Sequence, residues 1–134
     1  MDMESRVVSK KEAAQLQIIV AIKLFHDGEY ECSITLAGAA EGQLPENESG
    51  QSLFGRLREK KPPEFACNRD WISQLNDVRD WLKHNADQSD REIHKFEAWI
   101  MLARALSRYH QHYGEETREM SEFLRWGKRE GYYN

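Results

Sequence analysis

The chain has 134 residues, of which 40% are hydrophobic and 31% charged, with three prolines and two cysteines. This length and composition are typical of a globular protein that buries a core without disulfides or metal ions, so we expect a single domain over residues 1–134. The formal net charge of −4 argues against broad binding of nucleic acid through many lysine and arginine contacts to phosphate. A net charge of this size does not exclude a small local basic site.

The sequence carries no sign of export or of membrane insertion. The N-terminal stretch MDMESRVVSKK lacks the apolar segment of a signal peptide. The longest apolar run, IIVAI, is far too short to cross a bilayer. We therefore expect a cytoplasmic protein with no membrane partner.

Apolar residues recur at helical spacing along most of the chain, which predicts an all-α fold. We expect an up-down bundle of four main helices plus a short C-terminal helix. The first helix should run from Ser9, as its N-cap, to about Phe25, and the second from about Tyr30 to Leu44. The later expected elements are a loop over residues 45–52, a short helix in LFGRLREKK, and helices over about 69–83, 90–109 (capped by Ser89 or Asp90) and 115–126.

The second predicted helix contains four consecutive small residues, 37–40, followed by Glu41. A helix surface without bulky side chains lets a neighbour approach closely, which predicts a central helix or a subunit contact. A carboxylate on an otherwise apolar helix needs a partner, and Arg79 and Arg104 are the candidates. The alternative, that Glu41 faces solvent near the helix end, stays open.

Arg79 and His84 lie near the end of the third predicted helix, in the stretch RDWLKH. Five residues correspond to about 140° on an ideal helix, so the two side chains can converge only if the chain bends at the helix end. An arginine can hold a phosphate through two hydrogen bonds, and a histidine can accept a proton near neutral pH. Such a pair can cleave RNA by letting the 2′-hydroxyl attack the adjacent phosphate. A solvated, amphipathic helix end is the alternative.

The stretch RDWLKH resembles the Arg-x4–6-His motif of the HEPN superfamily, whose members are helical bundles. The stretches SITLAGAAEGQL (residues 33–44) and EAWIMLARALSRY (residues 97–109) are similar to a group of bacterial HEPN-like proteins, so that the resemblance extends from Lys11 to Tyr109. It implies a metal-independent ribonuclease, often a toxin, in which the motifs of two subunits form the active cleft. It equally implies an alternative, because other members are inactive and serve as protein-interaction modules.

The resemblance assigns phosphate stabilisation to Arg79 and the role of general base to His84. Asp80 occupies the polar position after the arginine, where family nucleases commonly have asparagine, and would orient Arg79 or His84. We take Trp81 and Lys83, which lie within the motif, as candidate binding residues, together with Glu41 and Arg104. The expected partners are a second copy of the chain, an RNA substrate and a protein partner such as an antitoxin.

A second arginine–histidine pair, Arg104 and His110, has six-residue spacing but an alanine after the arginine. Cations near a helix C-terminus are stabilised by the helix dipole, so a structural role is the interpretation we favour for this pair. The five histidines form no H-E-x-x-H or E-x-x-H motif, and no C-x-x-C motif is present. We therefore expect no metal ion and no cofactor.

Overall fold

The computed structural model describes residues 2–45, 68–84 and 88–133, and for residues 68–75 it describes the backbone alone. This part of the chain is all-α, as predicted, and contains no strand. Its helices are α1 (Lys10–His26), α2 (Tyr30–Gly42), α3 (Asn68–Lys83), α4 (Lys95–Tyr113) and α5 (Arg118–Arg129). The short helix expected in LFGRLREKK, and most of the loop expected before it, lie outside the described residues.

The bounds of α1 are the expected ones to within a residue. The Ser9 hydroxyl accepts a hydrogen bond from the backbone N–H of Glu12 at 3.0 Å, which satisfies one of the unpaired donors of the first turn. After the helix, Gly28 has a φ of 82°, a left-handed conformation that glycine adopts without steric cost. The chain thereby turns directly into α2.

Two polar contacts fix the relative direction of α1 and α2. The Ser33 hydroxyl donates to the carbonyl of Ala21 at 2.8 Å, and the Gln43 side-chain amide donates to the side-chain oxygen of Gln17 at 2.6 Å. Ser33 near the start of α2 thus meets the later residue of α1, and Gln43 just past the end of α2 meets the earlier one, so the two helices are antiparallel.

The N-cap expected for α4 was wrong. The helix begins after His94, so neither Ser89 nor Asp90 caps it. The Glu97 carboxylate accepts from the backbone N–H of His94 at 3.0 Å, one half of a capping box. The helix ends at Tyr113, four residues past the expected end at Tyr109, and Gly114 with a φ of 70° caps it.

The start expected for α5 was also wrong. The helix begins after Thr117, three residues later than expected, and ends at Arg129. The Thr117 hydroxyl caps the helix, because it accepts a hydrogen bond from the backbone N–H of Met120 at 3.2 Å. Glu115 and Glu116, which were expected in the helix, belong to the connection from α4.

Helix α4 lies at the centre of the core, because every residue from Glu97 to Ser107 is buried. Trp99 packs against Phe123 of α5, with ring centroids 4.9 Å apart, and Phe25 of α1 contacts the same phenylalanine edge-on at 5.3 Å. Among the described residues, the buried apolar side chains are those of Ala14, Ile18, Ala21, Ile22, Phe25, Ile34, Ala37, Ala40, Leu44, Val78, Ala98–Ala103, Ala105, Leu106, Tyr109, Met120 and Phe123.

Contacts at the two ends of α1 indicate the direction of α4. Lys11 forms an ion pair with Glu115, just beyond the end of α4, and Lys95 at the start of α4 lies over the Phe25 ring. Helix α1 is therefore antiparallel to α4 as well as to α2, and the up-down order of the whole bundle stays a prediction. Within residues 2–45, 68–84 and 88–133, no helix combines the length and apolar character that a bilayer span requires.

Candidate functional site: a buried glutamate among three arginines

Glu41 lies near the C-terminal end of α2, and its side chain is only 3% exposed. Burial of an ionised carboxylate is costly unless opposite charges and hydrogen-bond donors surround it. The structure supplies them from two other helices, so the alternative in which Glu41 faces solvent was wrong.

Arg104 of α4 is the main partner of Glu41. Its Nη2 donates a hydrogen bond to Oε1 at 2.8 Å, and its Nε lies 2.6 Å from Oε2 as an ion-pair contact, so that one guanidinium faces both carboxylate oxygens. Its Nη1 donates to the Asn76 side chain of α3 at 2.7 Å. Burial lowers the pKa of Arg104, and the negative charge of Glu41 opposes this shift. The pair therefore joins α2, α3 and α4.

Arg79 of α3 also approaches this carboxylate, but less closely than Arg104 does. Its Nη1 lies 3.5 Å from Oε1 of Glu41, and the side chain is 23% exposed. The arginine stem crosses α2 at Gly38, where an added Cβ would lie 3.1 Å from Cδ of Arg79. The small residues of α2 thus admit an arginine side chain.

Arg108, one helical turn after Arg104, completes the set. Its Nη1 donates to the backbone carbonyl of Glu41 at 3.3 Å, near the C-terminal end of α2, where a cation is favoured. Its Nη2 lies 4.0 Å from Oε1 of Glu41, and the side chain is 21% exposed. Arg108 was not among the predicted site residues, although its spacing of four from Arg104 places both on one face of α4.

The cluster has an excess of positive charge. Three guanidinium groups surround one carboxylate, and the exposed Asp80 adds a second negative charge at the edge, with Oδ1 3.5 Å from Nε and from Nη2 of Arg79. Arg79 and Arg108 both reach the surface, so the arrangement can bind an anion such as a phosphate.

His84 is the first residue beyond α3, and its backbone N–H donates to the backbone carbonyl of Asp80 at 3.2 Å. Its imidazole is exposed, and no hydrogen bond or ion pair joins it to Arg79 in the described part of the chain. Lys83 is also exposed. Trp81 is partly buried, with no hydrogen-bond partner for its Nε1 among the described residues.

The structure thus brings Glu41, Arg79, Asp80 and Arg104 together, whereas Trp81, Lys83 and His84 make no polar contact with the cluster among the described residues. It also separates the second arginine–histidine pair. Arg104 is buried against Glu41, while the exposed His110 has its Nδ1 3.3 Å from Oε1 of Glu116.

Within the described ranges, no group of three or more histidine, cysteine, aspartate or glutamate side chains is placed to hold a metal ion. No known protein family, curated protein or solved structure matches the chain.

Proposed function

We propose that this protein is an HEPN-like, metal-independent endoribonuclease whose reaction uses Arg79 and His84. The observation that supports it best is the position of Arg79. Its guanidinium is held beside Glu41 at the edge of an arginine-rich cluster, and it remains partly exposed, five residues before an exposed histidine. An oriented but accessible cation of this kind can stabilise negative charge that develops on a phosphate.

In the proposed reaction, His84 takes the proton of a ribose 2′-hydroxyl, and the resulting alkoxide attacks the adjacent phosphorus. The bond from phosphorus to the 5′-oxygen breaks, and that oxygen takes up a proton from solvent. The products are a 2′,3′-cyclic phosphate and a 5′-hydroxyl, with no change of oxidation state. Arg79 stabilises the phosphate oxygens, and Asp80 acts as a positioning residue for Arg79.

The family resemblance implies a cellular setting for this reaction. The protein acts in the cytoplasm as a homodimer in which the Arg79 and His84 side chains of both subunits face one cleft. Its biological partner is a protein that restrains it, as in a toxin–antitoxin or defence pair.

One observation favours a second candidate, a non-catalytic module that binds a protein partner. The contact between Arg79 and Glu41 gives the arginine a structural role without any substrate. In that case Arg79 supports the fold, and the surface around His84 carries no reaction.

Single-turnover cleavage of a single-stranded RNA by variants separates the two functions. Arg79→Ala and His84→Ala should each lower the rate by about 10²–10³-fold, and the double variant should lose little more, because both side chains act in one step. Arg118→Ala and His112→Ala are the matched controls, since both residues are exposed. Wild-type rates in folded Arg79→Ala and His84→Ala proteins would exclude the proposed roles of the two residues. RNA that stays intact with the folded wild-type protein would exclude the nuclease and favour the interaction module.

A further inference from the structure

The three arginines around Glu41 are not equivalent in what they can still bind. Arg104 directs two nitrogens at the carboxylate and the third at Asn76, and its side chain is 9% exposed. These contacts and this burial leave Arg104 little capacity for a ligand. Any anion that enters the cluster from solvent must therefore meet Arg79 and Arg108.

Arg79 and Arg108 are close enough to act on one anion. Nη1 of Arg79 lies 3.5 Å and Nη2 of Arg108 lies 4.0 Å from the same oxygen, Oε1 of Glu41. The two nitrogens are therefore no more than 7.5 Å apart. One phosphate group, with a charge-assisted hydrogen bond of about 2.8 Å on each side, can bridge such a gap.

We propose that Arg108 is a second phosphate-binding residue, which holds the RNA backbone together with Arg79. Glu41 is the positioning residue for both, because its Oε1 faces both guanidinium groups and its carbonyl accepts from Nη1 of Arg108. This inference rests on the proposed function for the identity of the ligand as RNA.

The competing explanation is that Arg108 only caps α2. Its Nη1 already donates to the carbonyl of Glu41, and a cation at a helix C-terminus stabilises the helix. A purely capping role predicts that loss of Arg108 changes thermal stability and leaves RNA binding unchanged.

The probe is a single-stranded RNA with 2′-O-methyl sugars, which lacks the attacking hydroxyl and cannot be cleaved. Its affinity is measured by fluorescence anisotropy at several salt concentrations. Each phosphate contact on a single strand contributes about 0.7 to the slope of log affinity against log salt. Arg108→Gln should lower the slope by about that amount, Arg108→Lys should keep it, and Arg118→Gln, which removes an exposed charge on α5, should leave it unchanged.

Labelling of the wild-type protein gives a second measurement that does not depend on how the variants fold. An arginine-selective dicarbonyl reagent is applied with and without the RNA mimic, and modified residues are counted by mass spectrometry. The mimic should protect Arg108 several-fold and leave Arg118 equally reactive. Equal protection of the two residues, or equal slopes for Arg108→Gln and Arg118→Gln, would overturn the proposal.

Failure of this inference differs from failure of the proposed nuclease. If ordinary RNA is cleaved but Arg108 is neither protected nor required for the slope, only the role of Arg108 is overturned. If the mimic binds through Arg108 and ordinary RNA stays intact, the nuclease is overturned and the phosphate-binding role of Arg108 is supported.

Discussion

Arg104 and Arg79 should differ sharply in how strongly each is coupled to Glu41. The relevant changes are Glu41→Gln, which removes the charge and keeps the shape, and Arg104→Met and Arg79→Met, which keep most of the aliphatic stem. Two double-mutant cycles, one for each arginine, isolate the interaction energies.

The magnitudes follow from distance and burial. Arg104 contacts both oxygens of Glu41 at 2.6 and 2.8 Å in a buried setting, and removing one partner of a buried pair costs about 3–5 kcal/mol. We expect a coupling of about 2–3 kcal/mol for this pair. Arg79 lies 3.5 Å away, beyond good hydrogen-bond length, and is partly solvated, so its coupling should stay below about 1 kcal/mol.

Urea unfolding followed by circular dichroism gives the free energy of unfolding for each variant. The exposed pair Arg118 and Glu122, with an N–O distance of 3.8 Å, is the control and should couple by about 0.5 kcal/mol or less. A coupling for Arg79 as large as that for Arg104 would refute the reasoning. Arg79 would then be a structural residue, and its catalytic assignment would have to be abandoned.

Two further predictions concern residues outside the cluster. Gly127→Ala should lower the free energy of unfolding by about 1–3 kcal/mol, because the added methyl would overlap the buried Trp99 ring. The control Gly42→Ala, whose methyl meets open space, should not lower it. Equal melting temperatures for the two variants would contradict this prediction. Partial burial, together with the charge of Lys95, lowers the pKa of His26 below its ordinary value of 6.5, so the unfolded state takes up a proton at a higher pH than the folded state does. The free energy of unfolding, measured by urea titration, should therefore fall as the pH drops below about 6.5. The variant His26→Gln should show a smaller fall. If its pH profile matched that of the wild type, His26 would have no part in the effect.

Helix existence could be predicted from the sequence because it depends on local apolar spacing and local caps. Ser9 caps the start of α1 through a hydrogen bond to a residue three positions on, and Gly28 turns the chain just after its end. Both effects depend only on residues nearby in the sequence. The start of α4 could not be predicted in this way, because several polar residues before it can act as caps. His94 is selected where Glu97 reaches back to its N–H at the edge of the aromatic core.

Burial on a helix face was predicted less reliably than the helix itself. Leu16 belongs to the apolar stripe of α1, a position typical of a buried residue, yet it is 48% exposed. Cys32 lies in an apolar stretch, where a free thiol is typically buried, yet it is exposed. In both cases the surroundings depend on which neighbouring helix packs where, which periodicity does not specify.

The candidate site was partly predictable. A carboxylate on an apolar helix indicated that Glu41 needs a partner, and both Arg79 and Arg104 lie beside it. The dominance of Arg104 and the participation of Arg108 could not be predicted, since they depend on how α2, α3 and α4 meet. Whether His84 reaches a phosphate held by Arg79 stays a prediction.

The most direct test of the proposed reaction is the chemistry of RNA ends after incubation with the wild-type protein in excess EDTA. Mass spectrometry of the fragments should show 2′,3′-cyclic phosphate and 5′-hydroxyl termini, at a rate that the chelator does not change. Cleavage that stops in EDTA and returns with zinc or manganese, or RNA that stays intact with the folded protein, would contradict the mechanism of Arg79 and His84.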